Sequence, residues 1–371
     1  MKRLRTAWLG AAALCMLLAG AANAQEPPIL NHTFEENDGG WHAFGGTAEL
    51  SLTHEPAAVK SGKGALQLSY ALKKGDFEAL ALPTPDQVLS KAKSFRFWVK
   101  TDHATSLSLV LQEKDGGRYN ALFFVPKETW QQVELSTADF ALDLGKDAPK
   151  DPDGKLDMED VESVAIADMA QIFVQDPNMA TALGVSEGPR KLYLDDFAVT
   201  TAALAPSTSL KHGEGTFDLF VRPQIAWVGV GDITVTKATG KPLDGAGLQA
   251  KYHQAPGHVS GLMRYLPPDS LTGAGKITLS AASLKPAKLL IQLEERSGGK
   301  YNTVVELPGG SGRSDLTLAL ADFKAADDSH DDNGKLDVDQ VTQMVVMDLS
   351  GILDQIDTDN TIWLGNIKAA R

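Results

Sequence analysis

The sequence predicts an all-β protein built as two tandem antiparallel β-sandwich domains, and three observations carry that expectation. The chain repeats itself. Glu113-Lys114-Asp115-Gly116-Gly117-Arg118-Tyr119-Asn120 returns as Glu295-Arg296-Ser297-Gly298-Gly299-Lys300-Tyr301-Asn302. Asp151-Pro152-Asp153-Gly154-Lys155-Leu156-Asp157 returns as Asp331-Asp332-Asn333-Gly334-Lys335-Leu336-Asp337, and Thr33-Phe34-Glu35 is echoed by Thr216-Phe217-Asp218. The starting points 113 and 295, 151 and 331, and 33 and 216 are separated by almost the same interval. A nearly constant offset means two copies of one domain of roughly 150–180 residues, a size typical of one compact core and too long for a solenoid repeat. The second observation is alternation with period 2 throughout. The third is that no amphipathic helix runs beyond about two turns.

The stretch from Met1 to Ala24 reads as an export signal. Lys2, Arg3 and Arg5 form a positive start, Ala7 to Gly20 is apolar, and Ala22-Asn23-Ala24 supplies a small-x-small cleavage site. The apolar run is short for a membrane-spanning helix, and no later segment approaches the ~20 apolar residues that spanning needs. Cys15, the only cysteine, lies in this signal, and Leu14 occupies the place where a lipoprotein signal wants a small residue. The mature chain is therefore expected to lack disulfides, Cys-metal sites and a Cys nucleophile. Its expected location is the periplasm or the extracellular space.

Strands follow in order. In Ser94-Phe95-Arg96-Phe97-Trp98-Val99-Lys100, one face carries Phe95, Phe97 and Val99 and the other Arg96, Trp98 and Lys100. Leu107, Leu109 and Leu111 alternate with Ser108, Val110 and Gln112, and Asp115-Gly116-Gly117 offers a hairpin turn into Tyr119 to Val125. In the second copy, Leu289, Ile291 and Leu293 lead through Ser297-Gly298-Gly299 into Tyr301 to Leu307. Short strands between Gly, Pro, Asp and Asn signals indicate a sandwich for each copy. Single helical turns are expected at Asp157 and Asp337. Each copy closes with an apolar strand, Leu192 to Phe197 and Ile362 to Ile367. The polar stretch Thr201 to Gly215 links them, giving domains over 25–203 and 204–371.

The formal net charge is −13, and becomes −16 once Lys2, Arg3 and Arg5 are removed. Phosphate contacts need Lys and Arg clusters, so nucleic acid and anionic lipid are poor partners. Neutral ligands and divalent cations remain open.

Phe34-Glu35, Gly40-Trp41, Ser61-Gly62-Lys63 leading into Ala65-Leu66-Gln67-Leu68, Trp130-Gln131-Gln132-Val133, Ala138-Asp139-Phe140 and Tyr193-Leu194-Asp195-Asp196 occur in this order. The pattern resembles carbohydrate-binding modules of the galactose-binding-like jelly-roll fold, nearest the family 11 variety. The resemblance covers most of Ile29 to Thr200. In the second copy it is weak at the start and good from Lys276 to Ala369. It implies two jelly-roll modules and a polysaccharide or oligosaccharide partner. In resembling modules the terminal strands lie side by side and often share a structural calcium, which here would fall to Glu35 with Asp195 or Asp196. Ca²⁺ takes six to eight oxygen ligands, so carbonyls near Lys60 to Lys63 would complete the shell. In the second copy Gly365 and Asn366 replace the two aspartates, which confines such a calcium to the first.

Sugar recognition needs flat aromatic faces for C–H surfaces and planar polar groups for hydroxyls. Trp98, with Arg96 and Lys100 on its strand and Gln112 from a neighbour, makes a candidate ligand face; the alternative is that Trp98 covers an apolar patch beneath a loop. Tyr119 joins the candidates through its repeated hairpin, although cross-strand Tyr is ordinary sheet chemistry. Thr278, Ser280 and Ala282 stand opposite Arg96, Trp98 and Lys100, so the second copy is expected to have lost this platform. Trp41, Trp130 and Trp363 read as packing residues. The Asp-Gly-Lys-Leu-Asp loops partly match an EF-hand loop. Pro149 or Ser329 at the first ligand position, and Asp160 or Gln340 at the last, favour a solvated loop instead.

Catalytic signatures are missing. The chain has no His-Glu-x-x-His, and Gly309-Gly310-Ser311-Gly312-Arg313 fails the nucleophile-elbow pattern. The expectation is an exported, monomeric, non-catalytic carbohydrate-binding protein with its glycan on the first module. The alternatives are an envelope protein-interaction pair and an accessory polysaccharide lyase or hydrolase.

Overall fold

The computed structural model describes residues 26–143 and 151–371; the stretch expected to serve as an export signal, with its expected cleavage point, lies outside the described residues. The first module runs through β1 (Leu30–His32), β2 (His42–Phe44), β3 (Glu49–Thr53), β4 (Ala65–Leu72), β5 (Ala79–Pro83) and β6 (Ser94–Thr101). It continues through β7 (Thr105–Glu113), β8 (Arg118–Val125), β9 (Gln131–Ser136), β10 (Ala141–Leu142), β11 (Val161–Asp168) and β12 (Gly188–Thr200). The second repeats the series as β13 (Gly215–Thr216), β14 (Val228–Val230), β15 (Ile233–Gly240), β16 (Gly245–Gln254), β17 (Ser260–Tyr265) and β18 (Lys276–Ser283). It ends with β19 (Ala287–Glu295), β20 (Lys300–Leu307), β21 (Ser314–Ala319), β22 (Lys324–Ala325), β23 (Val341–Asp348) and β24 (Thr358–Ala370).

Both modules are jelly-roll sandwiches of one topology. One sheet has the order β3-β4-β12-β6-β9 with β1 beside β12, and its partner the order β10-β8-β7-β11-β5-β2. The second module gives β15-β16-β24-β18-β21 with β13 beside β24, and β14-β17-β23-β19-β20-β22. The pairings between these strands are antiparallel. Below, the sheet holding the terminal strands is called the closing sheet and its partner the facing sheet.

Alternation decides what each sheet buries. Phe95, Phe97 and Val99 have no exposed surface and meet Leu107, Leu109 and Leu111 of the opposite sheet in one cluster. Each such side chain contributes about 1.5–3 kcal/mol of transfer free energy. Buried Tyr–Asp pairs tie the two layers at equivalent places. Tyr70 donates to Asp168 at 2.6 Å, and Tyr252 to Asp348 at 2.7 Å.

The modules also exchange side chains. Ile225, from the turn Pro223–Ala226, packs into the first module's core, while Phe124 of β8 packs into the second's. Gly229 makes the approach possible, since a Cβ there would stand 2.9 Å from the Phe124 ring. Ser106 donates to the Gly229 carbonyl at 3.2 Å, and Arg222 lies 3.9 Å from Asp139. The polar linker is itself tied down. Ser209 and Leu219 amides donate to the Thr216 and Ser207 carbonyls, and Leu210 is buried.

Candidate functional site

Arg96, Trp98 and Lys100 do share the outer surface of the first closing sheet. Tyr193 lies in register with Gln67 and Lys100, and Trp98 with Gln132 and Asp195. Trp130, expected in the core, packs against Tyr193 on this same outer surface at 6.5 Å between ring centroids. The sequence therefore located an aromatic face and undercounted its rings. The ring faces, however, are occupied. The Lys60 ammonium sits 4.1 Å above Trp98, and that of Lys100 lies 4.7 Å from Tyr193 and 5.3 Å from Trp130. Lys100 also donates to the Ala57 carbonyl, and Arg96 pairs with Glu134 at 2.7 Å. Lysine stems cover apolar surface while their charges meet the rings, so these platforms carry cations already.

Gln112 and Tyr119 do not join that face. β6 and β7 belong to different sheets, because Asp102-His103-Ala104 crosses the sandwich edge. Gln112 consequently lies on the outer surface of the facing sheet, in register with Ser163 and Arg118. Tyr119 points inward and is buried, its hydroxyl donating to Asp151. Glu113 reinforces this tie by accepting the Asp157 amide at 2.5 Å. Oxygens of Glu113, Asp115 and Asp151 converge within 4.8 Å of one another. Burial, aided by Asp151 and Asp115, pushes the Glu113 carboxyl up to about 7. The second copy repeats the tie with Tyr301 to Asp331 and Asp337 to Glu295, while Ser297 replaces Asp115. These hydrogen bonds clip the acidic loop to the hairpin.

At Glu35, Asp195 and Asp196, where calcium is expected, the carboxylates of Glu35 and Asp195 accept backbone amides. Asp195 Oδ2 accepts the amides of Lys60 and Ser61, each at 2.9 Å, and Oδ1 accepts that of Asp196 at 2.8 Å. Both Glu35 oxygens accept the Lys63 amide, at 2.8 and 3.1 Å. The loop thus turns the N–H groups of Lys60, Ser61 and Lys63 toward the carboxylates. Their oxygens do not gather as those of Glu113, Asp115 and Asp151 do. Asp196 instead takes a left-handed φ of 49° at the bulge of β12, as Asn366 does in β24 with 51°.

The two facing sheets differ in a way the sequence pattern hides. In the second module Tyr265, Gln343, Glu294 and Lys300 form one cross-strand row. The next row holds Met263, Val345, Gln292 and Asn302. Tyr265 is 39% exposed and Val304, further along, 50%. Two amides fix Glu294: Gln292 donates to Oε1 at 2.6 Å and Gln343 to Oε2 at 3.0 Å. Burial and the Glu294 charge push the Tyr265 phenol up to about 12, so it remains a neutral donor. Alternation by polarity would point Arg264 outward and Tyr265 inward. The reverse holds because Arg264 is buried on the Ala226 and Phe217 carbonyls and the Ser207 hydroxyl. The equivalent first-module row is Pro83, Ser163, Gln112 and Arg118, without an aromatic ring. One end of that sheet lies beneath Gly229.

No protein-family model and no curated protein sequence matches the chain. Among solved structures, similarity extends to the family 11 carbohydrate-binding module of the cellulosomal cellulase Lic26A-Cel5E of Clostridium thermocellum. That match has 17% identity and a TM-score of 0.35, covering 42% of this chain and 94% of that one. The family 11 module from Clostridium thermocellum in complex with a β-1,3-1,4-mixed-linked tetrasaccharide matches at 14% identity and a TM-score of 0.35, over 47% and 95% of the two chains. The tandem CBM22-1-CBM22-2 domain of Paenibacillus barcinonensis Xyn10C matches at 14% identity and a TM-score of 0.30, over 95% and 99%.

Proposed function

We propose that this chain is a monomeric, non-catalytic carbohydrate-binding protein, exported by the stretch Met1 to Ala24 to the periplasm or beyond, that holds polysaccharide or oligosaccharide on the facing sheet of its second module. One observation carries the reading: an exposed Tyr265 ring lies in one row with Gln343 and with Glu294, whose carboxylate two amides hold still. A flat ring takes the C–H face of a pyranose, and a fixed carboxylate with flanking amides addresses its hydroxyls. Preorganisation lowers the ordering cost that limits affinity on open surfaces.

The same geometry favours binding over hydrolysis. Glycosidases set two carboxyl groups about 5–10 Å apart across the scissile bond. The other outward acidic residue on these strands, Glu306, lies opposite Lys288, six residues along β19 from Glu294. That interval is about 20 Å at ordinary strand rise.

A glycan array on the mature chain, followed by titration of each hit with Tyr265→Ala and Glu294→Gln, tests the proposal. Loss of binding in both variants supports it. Unimpaired binding in both, or release of reducing ends from a bound polymer, overturns it.

A further inference from the structure

The closing sheets of the two modules carry a matched outward row. In the first, Ser51, Gln67, Tyr193 and Lys100 stand side by side across four strands. In the second, Thr236, Gln249, Trp363 and Ala282 occupy the equivalent places. Hydroxyl, amide and aromatic ring recur at positions facing away from the core, where sheet packing does not require that combination. The fourth position differs. The fourth place in the second row is closed: Ala282 is fully buried and brings only a methyl beside Trp363, whereas Lys100 covers Tyr193, and no lysine or arginine lies on the Trp363 ring among the described residues. The Trp363 indole N–H, the Gln249 amide and the Thr236 hydroxyl have no side-chain hydrogen-bond partner among the described residues. A half-buried indole with a free donor, beside a free amide and a free hydroxyl, is the donor and surface set that a pyranose ring uses.

We propose that this row is a second carbohydrate-binding surface, in which Trp363 stacks on a pyranose ring while Gln249 and Thr236 bond its hydroxyls. The inference rests on the carbohydrate reading above and adds a consequence to it. Tyr265 and Trp363 lie on opposite sheets of one sandwich, so a single molecule holds two glycan chains and bridges them.

Mixed-linkage β-glucan and xylan, each as polymer and as tetrasaccharide, are the probes, with the full mature chain as receptor. Calorimetric stoichiometry should be two tetrasaccharides per chain, and the protein should make the polymer solution turbid. Trp363→Ala should weaken one site by about tenfold or more, as loss of an aromatic anchor does, and should abolish turbidity while the Tyr265 site still binds. Gln249→Ala keeps the tryptophan and removes only the amide beside it; it should weaken the same site and no other. Thermal melts of both variants confirm that the sandwich is intact. A stoichiometry of one, abolished by Tyr265→Ala and untouched by Trp363→Ala and Gln249→Ala, overturns this inference and leaves the Tyr265 face standing. Absence of binding to every probe overturns this inference, while the glycan array above still decides the Tyr265 face.

Discussion

The phenol of Tyr70 donates to Asp168 across the first sandwich at 2.6 Å, and both residues are buried. Asp168 also takes the Thr105 hydroxyl and the Ala170 amide. Burial, with the nearby Asp168 charge, holds the Tyr70 phenol well above its usual range, so it stays a donor at any pH the fold survives. Tyr70→Phe should therefore cost about 1–2 kcal/mol, and Asp168→Ala about 3 kcal/mol or more, because the latter strands three buried donors. Urea melts give both values. Equal losses would show that the carboxylate serves Tyr70 alone.

Glu113 gives the molecule a pH signature. Its carboxyl is pushed up from its ordinary 4.5 to about 7, so the native state holds this proton more tightly than the unfolded chain. Between pH 4.5 and about 7 the native state binds more protons, and stability must fall as pH rises through that window. Above about 7 the contribution is flat. Glu113→Gln mimics the protonated form, so the wild type should lose melting temperature relative to this variant across the window. A wild type that gains on the variant as pH rises would contradict the assignment.

Asp195 anchors the loop at Lys60 and Ser61 through amides. Asp195→Ala should destabilise the protein by about 1–3 kcal/mol, the cost of removing a charged acceptor from part-buried amides. The loss should be the same with millimolar calcium as with chelator. A melting temperature that calcium raises in the wild type, and not in Asp195→Ala, would restore the cation at this place.

Lys60 lies on Trp98, so Lys60→Ala should shift Trp98 fluorescence and expose its ring. Trp98→Ala should change stability by less than about 1 kcal/mol, since an outward ring under a flexible lysine stem adds little to the core. Loss of several kcal/mol would place Trp98 among the packing residues.

The strand pattern made much of this visible in advance. Phe95, Phe97 and Val99 point inward and Arg96, Trp98 and Lys100 outward, as period 2 requires. The hairpins after Glu113 and Glu295 close where the glycine pairs indicated. Alternation cannot report which layer a strand joins, and this misplaced Gln112. It cannot report contacts between distant loops, which is why Lys60 over Trp98 was invisible. Trp363 reads as packing because it sits in an apolar, strand-like closing segment, although its parity in β24 points outward. Tyr265 was hidden by the inward turn of Arg264, whose partners come from three separate segments.

Cutting the chain between Ala203 and Leu204 should yield halves that melt below the intact protein, because the first loses Ile225 from its core and the second loses Phe124. In the intact chain, Phe124→Ala and Ile225→Ala should each cost about 2–4 kcal/mol. Halves that melt at the temperature of the whole would show the exchange to be energetically idle.

The exchange of Ile225 and Phe124 also bears on how far the two modules can move apart. Two modules on a loose tether sample many separations, and their joint grip depends only on an averaged effective concentration. Here each module inserts a side chain into the other, so the interval between their outer surfaces is a fixed length, as in a caliper. The surfaces proposed around Tyr265 and Trp363 both belong to the second module. Whatever the first module meets is then held at one constant distance from them.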